Sequence, residues 1–94
     1  MEFVAIIKLP RSTALNLNKR TNDGLQIIGK HGFRELNYST PLHGEIESRV
    51  FYAQDVNPEE TYKIILGTKS HPDAQKTFTI PDDQEFQIVD FPAI

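Results

Sequence analysis

The chain has 94 residues and a net charge of −3, with 38% hydrophobic and 24% charged residues. That composition describes one folded domain, long enough to bury roughly 60–65% of its unfolded surface, and excludes a disordered chain. It contains no cysteine, which excludes a disulfide framework, thiolate metal sites and thiol catalysis, and points to the cytoplasm.

The start, Met1-Glu2-Phe3-Val4-Ala5-Ile6-Ile7-Lys8, lacks the basic lead and the small-residue cleavage site of a signal peptide. Its apolar run from Phe3 to Ile7 is far too short to span a membrane. Residues 2–9 are predicted as the first strand. Phe3, Ala5, Ile7 and Leu9 fall on one side and Val4 and Ile6 on the other, the pattern of a strand covered on both faces. Pro10, without an amide donor, is expected to end the ladder.

Residues 11–24 are polar and aperiodic and read as an irregular loop, with room for a short strand at 14–17 and a turn at Asn22-Asp23-Gly24. Residues 25–38 admit two readings. One is a pair of strands, 25–28 and 33–38, around a turn at 29–32. The other is a short helix near 23–31, stopped by Gly32. Residues 39–44 follow as a loop.

"GEIESRVFYAQ", residues 44–54, alternates regularly and reads as a central strand. Ile46, Ser48, Val50 and Tyr52 are expected on the core side, and Glu47, Arg49, Phe51 and Ala53 on the other. Residues 55–60 are a turn built on Pro58, Asp55 and Asn57. Tyr62, Ile64 and Leu66 mark the next strand, with Lys63 and Ile65 opposite. A loop is expected over 67–75, a strand over 76–80 with Phe78 and Ile80 inward, a turn over 81–85 and a last strand over 86–91. The fold class is therefore mostly β, a small barrel or sandwich of six to seven short strands. An α+β fold is the alternative if 23–31 is helical.

Several segments come close to chemical motifs without completing them. Gly24 to His31 nearly spells a phosphate-binding loop, but His31 stands where a magnesium-binding hydroxyl is needed and a loop precedes it. His31, His43 and His71 lie in separate loops, without the converging spacing of a zinc site. The acidic turn beginning at Asp55 resembles a calcium loop but has no glycine at its sixth position and Leu66 at its twelfth. Asp82, Asp83 and Glu85 share a polar turn, where solvated charge is the default over an acid–base pair. Asn37-Tyr38-Ser39 fits a glycosylation acceptor, which matters only in a secreted chain. No catalytic set, metal or cofactor is expected.

The face bearing Glu47, Arg49 and Phe51 has two readings. It is either a solvated sheet surface with a cross-strand ion pair, or a stacking platform for a nucleobase or a partner's aromatic side chain. Charge is divided along the chain. Residues 1–54 hold seven Lys/Arg and five Asp/Glu, and residues 55–94 hold three and eight. The +2 of the first part permits phosphate contacts by Lys8, Arg11, Lys19 and Arg20, although a dedicated DNA binder is usually more basic.

The second half carries Gly44, Glu45, Arg49 and Phe51, then Lys76 and Phe78, then "EFQIVDFPA" from Glu85 to Ala93. In these residues it is similar to a family of small β-rich domains encoded by integrative and conjugative elements and related plasmids of Gram-positive bacteria. Phe51 replaces the family's usual tyrosine, "VDFP" replaces its "VNP", and residues 11–24 have no counterpart. The resemblance implies a non-enzymatic accessory of element replication or transfer that binds a helicase, single-stranded DNA or both. The alternative is a structural or self-associating β module of phage or plasmid origin. The "FQIVDF" edge at residues 86–91 would then supply the pairing strand.

Overall fold

The computed structural model describes residues 1–10, 24–36, 46–67, 70 and 72–91. Seven strands run through them: β1 (Phe3–Pro10), β2 (Leu25–Ile28), β3 (Arg34–Glu35), β4 (Ile46–Ala53), β5 (Thr61–Gly67), β6 (Pro72–Thr79) and β7 (Phe86–Asp90). They form a four-stranded sheet in the order β3-β4-β1-β7 and a three-stranded sheet in the order β2-β5-β6. All neighbours are antiparallel except β1 and β7, which are parallel. The expected mostly β sandwich is what forms. Residues 25–28 are a strand rather than a helix, and no helix long and apolar enough to cross a membrane occurs among the described residues.

The core lies between the sheets. β1 contributes Phe3, Ala5, Ile7 and Leu9, all fully buried, as its alternation predicted. The facing sheet contributes Ile27, Tyr62, Ile64, Leu66 and Phe78. Phe33 stands edge-on to Tyr62 with ring centroids 4.9 Å apart, and Phe78 stacks with Tyr62 at 5.9 Å. Such aromatic pairs stabilise by about 0.5–1.5 kcal/mol beyond the area they bury. Pro10 belongs to β1 as its last residue, opposite Ile46, a position that asks little of a missing amide.

Beyond the expected 33–38 strand, of which only Arg34–Glu35 is strand among the described residues, the structure departs from the expected pattern in three places. Val4 and Ile6 are half-buried rather than covered, because the sandwich has two layers and β1 is screened only on its inner side. β6 begins at Pro72, earlier than the expected start at 76, and part of the expected 67–75 loop is therefore strand. Pro72 opens β6 opposite Gly67, where a register irregularity and a positive φ of 101° bend the ladder. Proline and glycine mark turns in sequence, but here they sit at a bulge and a strand start. The third departure concerns β4. The expected strand at 14–17 and the 39–44 loop lie outside the described residues.

Candidate binding face

The faces of β4 are the reverse of those expected. β1 fixes them: Ala53, Phe51, Arg49 and Glu47 pair with Phe3, Ala5, Ile7 and Leu9, which all point into the core. Residues paired across an antiparallel ladder share a face, so Glu47, Arg49 and Phe51 lie on the inner face of the sheet. Phe51 is 3% exposed and cannot stack on a ligand. Counting apolar side chains favoured Ile46, Val50 and Tyr52 as the core side. The heavier constraint was the fully apolar alternation of β1 next to it.

Arg49 and Glu47 are tolerated inside because both side chains are only part-buried and pair with each other, Glu47 Oε2 being shielded from solvent and facing Arg49. The Arg49 Nη1 donates to Glu35 Oε1 at 3.1 Å, and its Nε lies 3.6 Å from Glu47 Oε2. The guanidinium thus ties β3 to β4 while its apolar stem extends the inner face, as arginine stems commonly do. The expected ion pair exists, but it serves the sandwich rather than a platform.

The opposite, outer face of the same sheet carries the open surface. Its register places Arg34, Tyr52, Val4 and Phe86 in one row, Val50, Ile6 and Ile88 in the next, and Ser48, Lys8 and Asp90 in the third. Ile46 sits opposite Pro10 at the end. Phe86 is 52% exposed, Ile88 49% and Ile46 42%. Arg34 lies over the Tyr52 ring, 5.5 Å from its centroid, a cation–π contact between strand neighbours. The Tyr52 hydroxyl is held above its ordinary pKa chiefly by its hydrogen bond with Glu2, and also by burial. Beside it an open, polar cleft of about 540 Å³ runs along His31, Arg34, Gln54 and Asp55.

Of the expected contact residues, Lys8 is exposed on this outer face, in register with Ser48 and Asp90. Arg11, Lys19 and Arg20 lie outside the described residues. The structure therefore separates Lys8 from Glu47, Arg49 and Phe51 by the thickness of the sheet. Arg34 was not singled out from sequence, Tyr52 and Ile46 were expected on the core side, and Phe86 and Ile88 entered only within the "FQIVDF" pairing edge. The available signal was that β7 carries apolar residues on both faces, more than one buried side can absorb.

A second polar cluster is structural. Glu60 Oε2 accepts from the Asn57 amide at 3.1 Å and from the Tyr62 hydroxyl at 2.9 Å, and its Oε1 accepts from Asn57 Nδ2 at 3.1 Å. His31 Nε2 stands 3.6 Å from the same carboxylate. The Asn57 amide, above all, holds Glu60 down to about 2, while burial first, and the Glu60 bond second, push Tyr62 up to about 12. The would-be calcium loop thus spends its carboxylate on a latch between the 55–60 turn and the 29–33 turn. The near-phosphate loop spends Gly29 on packing, because a Cβ there would collide with the Tyr62 ring. Asp82, Asp83 and Glu85 are exposed in their turn. Among the described residues, no three metal-ligating side chains converge; His43 and His71 lie outside them.

Comparison with protein-family models, with curated proteins and with solved structures finds no match to this chain.

Proposed function

We propose that this protein is a non-enzymatic accessory of a mobile genetic element that aids DNA replication or transfer by docking a helicase on the outer face of the β3-β4-β1-β7 sheet. The observation that carries the docking surface is exposed Phe86 and Ile88 beside half-buried Val4, Ile6 and Tyr52 on one open face, with exposed Ile46 on the same face beyond the Ser48–Lys8–Asp90 row. Large apolar side chains grouped on an open sheet face are a feature of interaction surfaces. The replication role rests on the resemblance carried by Gly44, Glu45, Arg49, Lys76 and Phe78.

A protein partner suits the face better than single-stranded DNA. Among the described residues Lys8 and Arg34 are its cations, with Asp90 in register with Lys8 and Glu2 holding the Tyr52 hydroxyl. A face with matched charges offers phosphates little net attraction. The test is strand separation by a replicative-type helicase of a Gram-positive host on a long nicked duplex. Longer unwound tracts in the presence of the protein are expected. No lengthening with a competent helicase would overturn the role. Tight binding to single-stranded DNA that collapses with salt would move the partner from protein to nucleic acid.

A further inference from the structure

We propose that two copies of this chain pair edge to edge through β7, antiparallel about a two-fold axis at Ile88. The inference does not rest on the replication reading, because it uses the backbone edge of the sheet and leaves the outer face of β4 and β1 open.

The backbone of β7 supplies the geometry. β7 is the last strand of its sheet among the described residues. At its two ends the parallel ladder is marked by Val4 N–H donating to the Glu85 carbonyl at 2.9 Å and Phe91 N–H donating to the Lys8 carbonyl at 2.8 Å. Peptide groups alternate in direction along a strand. Those of Gln87 and Val89 therefore turn to β1, and those of Phe86, Ile88 and Asp90 turn to the open edge. Lys76 confirms the direction: its Nζ donates to the Asp90 carbonyl from outside the ladder, at 2.6 Å.

The outward-turned groups and the exposed side chains belong to the same residues, so one pairing register satisfies both. With Ile88 opposite its own copy, Phe86 falls opposite Asp90 in both directions. The two Ile88 residues exchange amide and carbonyl bonds, and their side chains meet on the outer face. The apolar row Val50–Ile6–Ile88 then continues unbroken into the same row of the second copy. Such an interface is isologous and closes on itself, leaving neither β7 edge to recruit a third chain. The Asp90 carbonyl keeps one lone pair beside its Lys76 bond, so the clasp at the end of the strand and the pairing at its centre coexist. The interface is small, placing the dimer among weak, concentration-dependent associations. Each chain carries −3, so added salt screens repulsion and strengthens the pair, opposite to its effect on DNA binding.

The chain has no cysteine, so single-cysteine variants report the register directly. Hydrogen-bonded antiparallel neighbours have Cα atoms about 5.5 Å apart, within the span of a disulfide. Under mild oxidation, Ile88→Cys is expected to form a covalent dimer in high yield, and Ile46→Cys, equally exposed but two strands away, is not. By sedimentation equilibrium the wild type is expected to approach twice the monomer mass as concentration rises towards about 1 mM. Ile88→Lys should raise the dissociation constant at least tenfold, and Ile88→Pro should abolish pairing while retaining the β-sheet circular dichroism. A monomer throughout that range, or equal cross-linking at Ile46 and Ile88, would overturn the proposal.

Discussion

Gly29 lies against the Tyr62 ring with no room for a β-carbon. Gly29→Ala must push the ring out of its place between Phe33 and Phe78, and overpacking of this kind costs about 1–3 kcal/mol. Urea denaturation measures it, and the same substitution at the unobstructed Gly32 is the control. Glu59 is a contrasting case: an exposed residue with a positive φ of 69°, following Pro58 in a turn closed by Glu60 N–H donating to the Asn57 carbonyl. That position of a type II turn favours glycine. Glu59→Gly relieves the left-handed strain and forfeits some chain entropy, for a net gain of about 0.5 kcal/mol, read as a rise in melting temperature. Glu60 sets part of the pH dependence. Its folded pKa of about 2 is below the ordinary 4.5, so its contribution is complete above that value and is lost as pH falls through 2. Glu60→Gln should lower stability at neutral pH and flatten the acid limb of the stability profile.

The strands were largely legible in the sequence, because turn residues and period-2 alternation are local signals. The inner side of β1 was read correctly, though its other side was expected to be covered too, and the apolar side of β5 was read from Tyr62, Ile64 and Leu66. β4 was not. Both of its faces mix apolar and polar side chains, and only its register against β1 decides which is inside. No local pattern contains that register. β6 was read short because Pro72 opens a strand here instead of ending one. The candidate site moved with β4: Lys8 stays on an open face, while Phe51 turns inward and Phe86, Ile88 and Tyr52 take its place. Phe51→Ala is expected to cost about 3–5 kcal/mol as a core truncation. Phe86→Ala should stay within about 0.5 kcal/mol, as surface changes usually do. Equal losses in thermal or chemical denaturation would mean the faces are assigned wrongly. Arg49→Ala should cost about 1–3 kcal/mol, since it removes the cation beside the solvent-shielded Glu47 Oε2.

At the scale of the molecule, the sandwich hides one face of each sheet and keeps its edges from pairing at random. Lys76 starts from the strand position paired with buried Ile64 and reaches across to the Asp90 carbonyl, joining the two sheets along their open side. An inward-starting lysine on an edge strand is a common guard against uncontrolled strand addition. The outer face of the four-stranded sheet is open and carries exposed Phe86, Ile88 and Ile46, and it is the proposed place of the partner. The decisive comparison is helicase strand separation with Ile46→Glu beside Arg49→Ala, both checked to be folded. Ile46→Glu should abolish the lengthening of unwound tracts, and Arg49→Ala should leave it intact. Full activity of Ile46→Glu together with loss in Arg49→Ala would put the partner on the opposite side of the sheet and contradict the account.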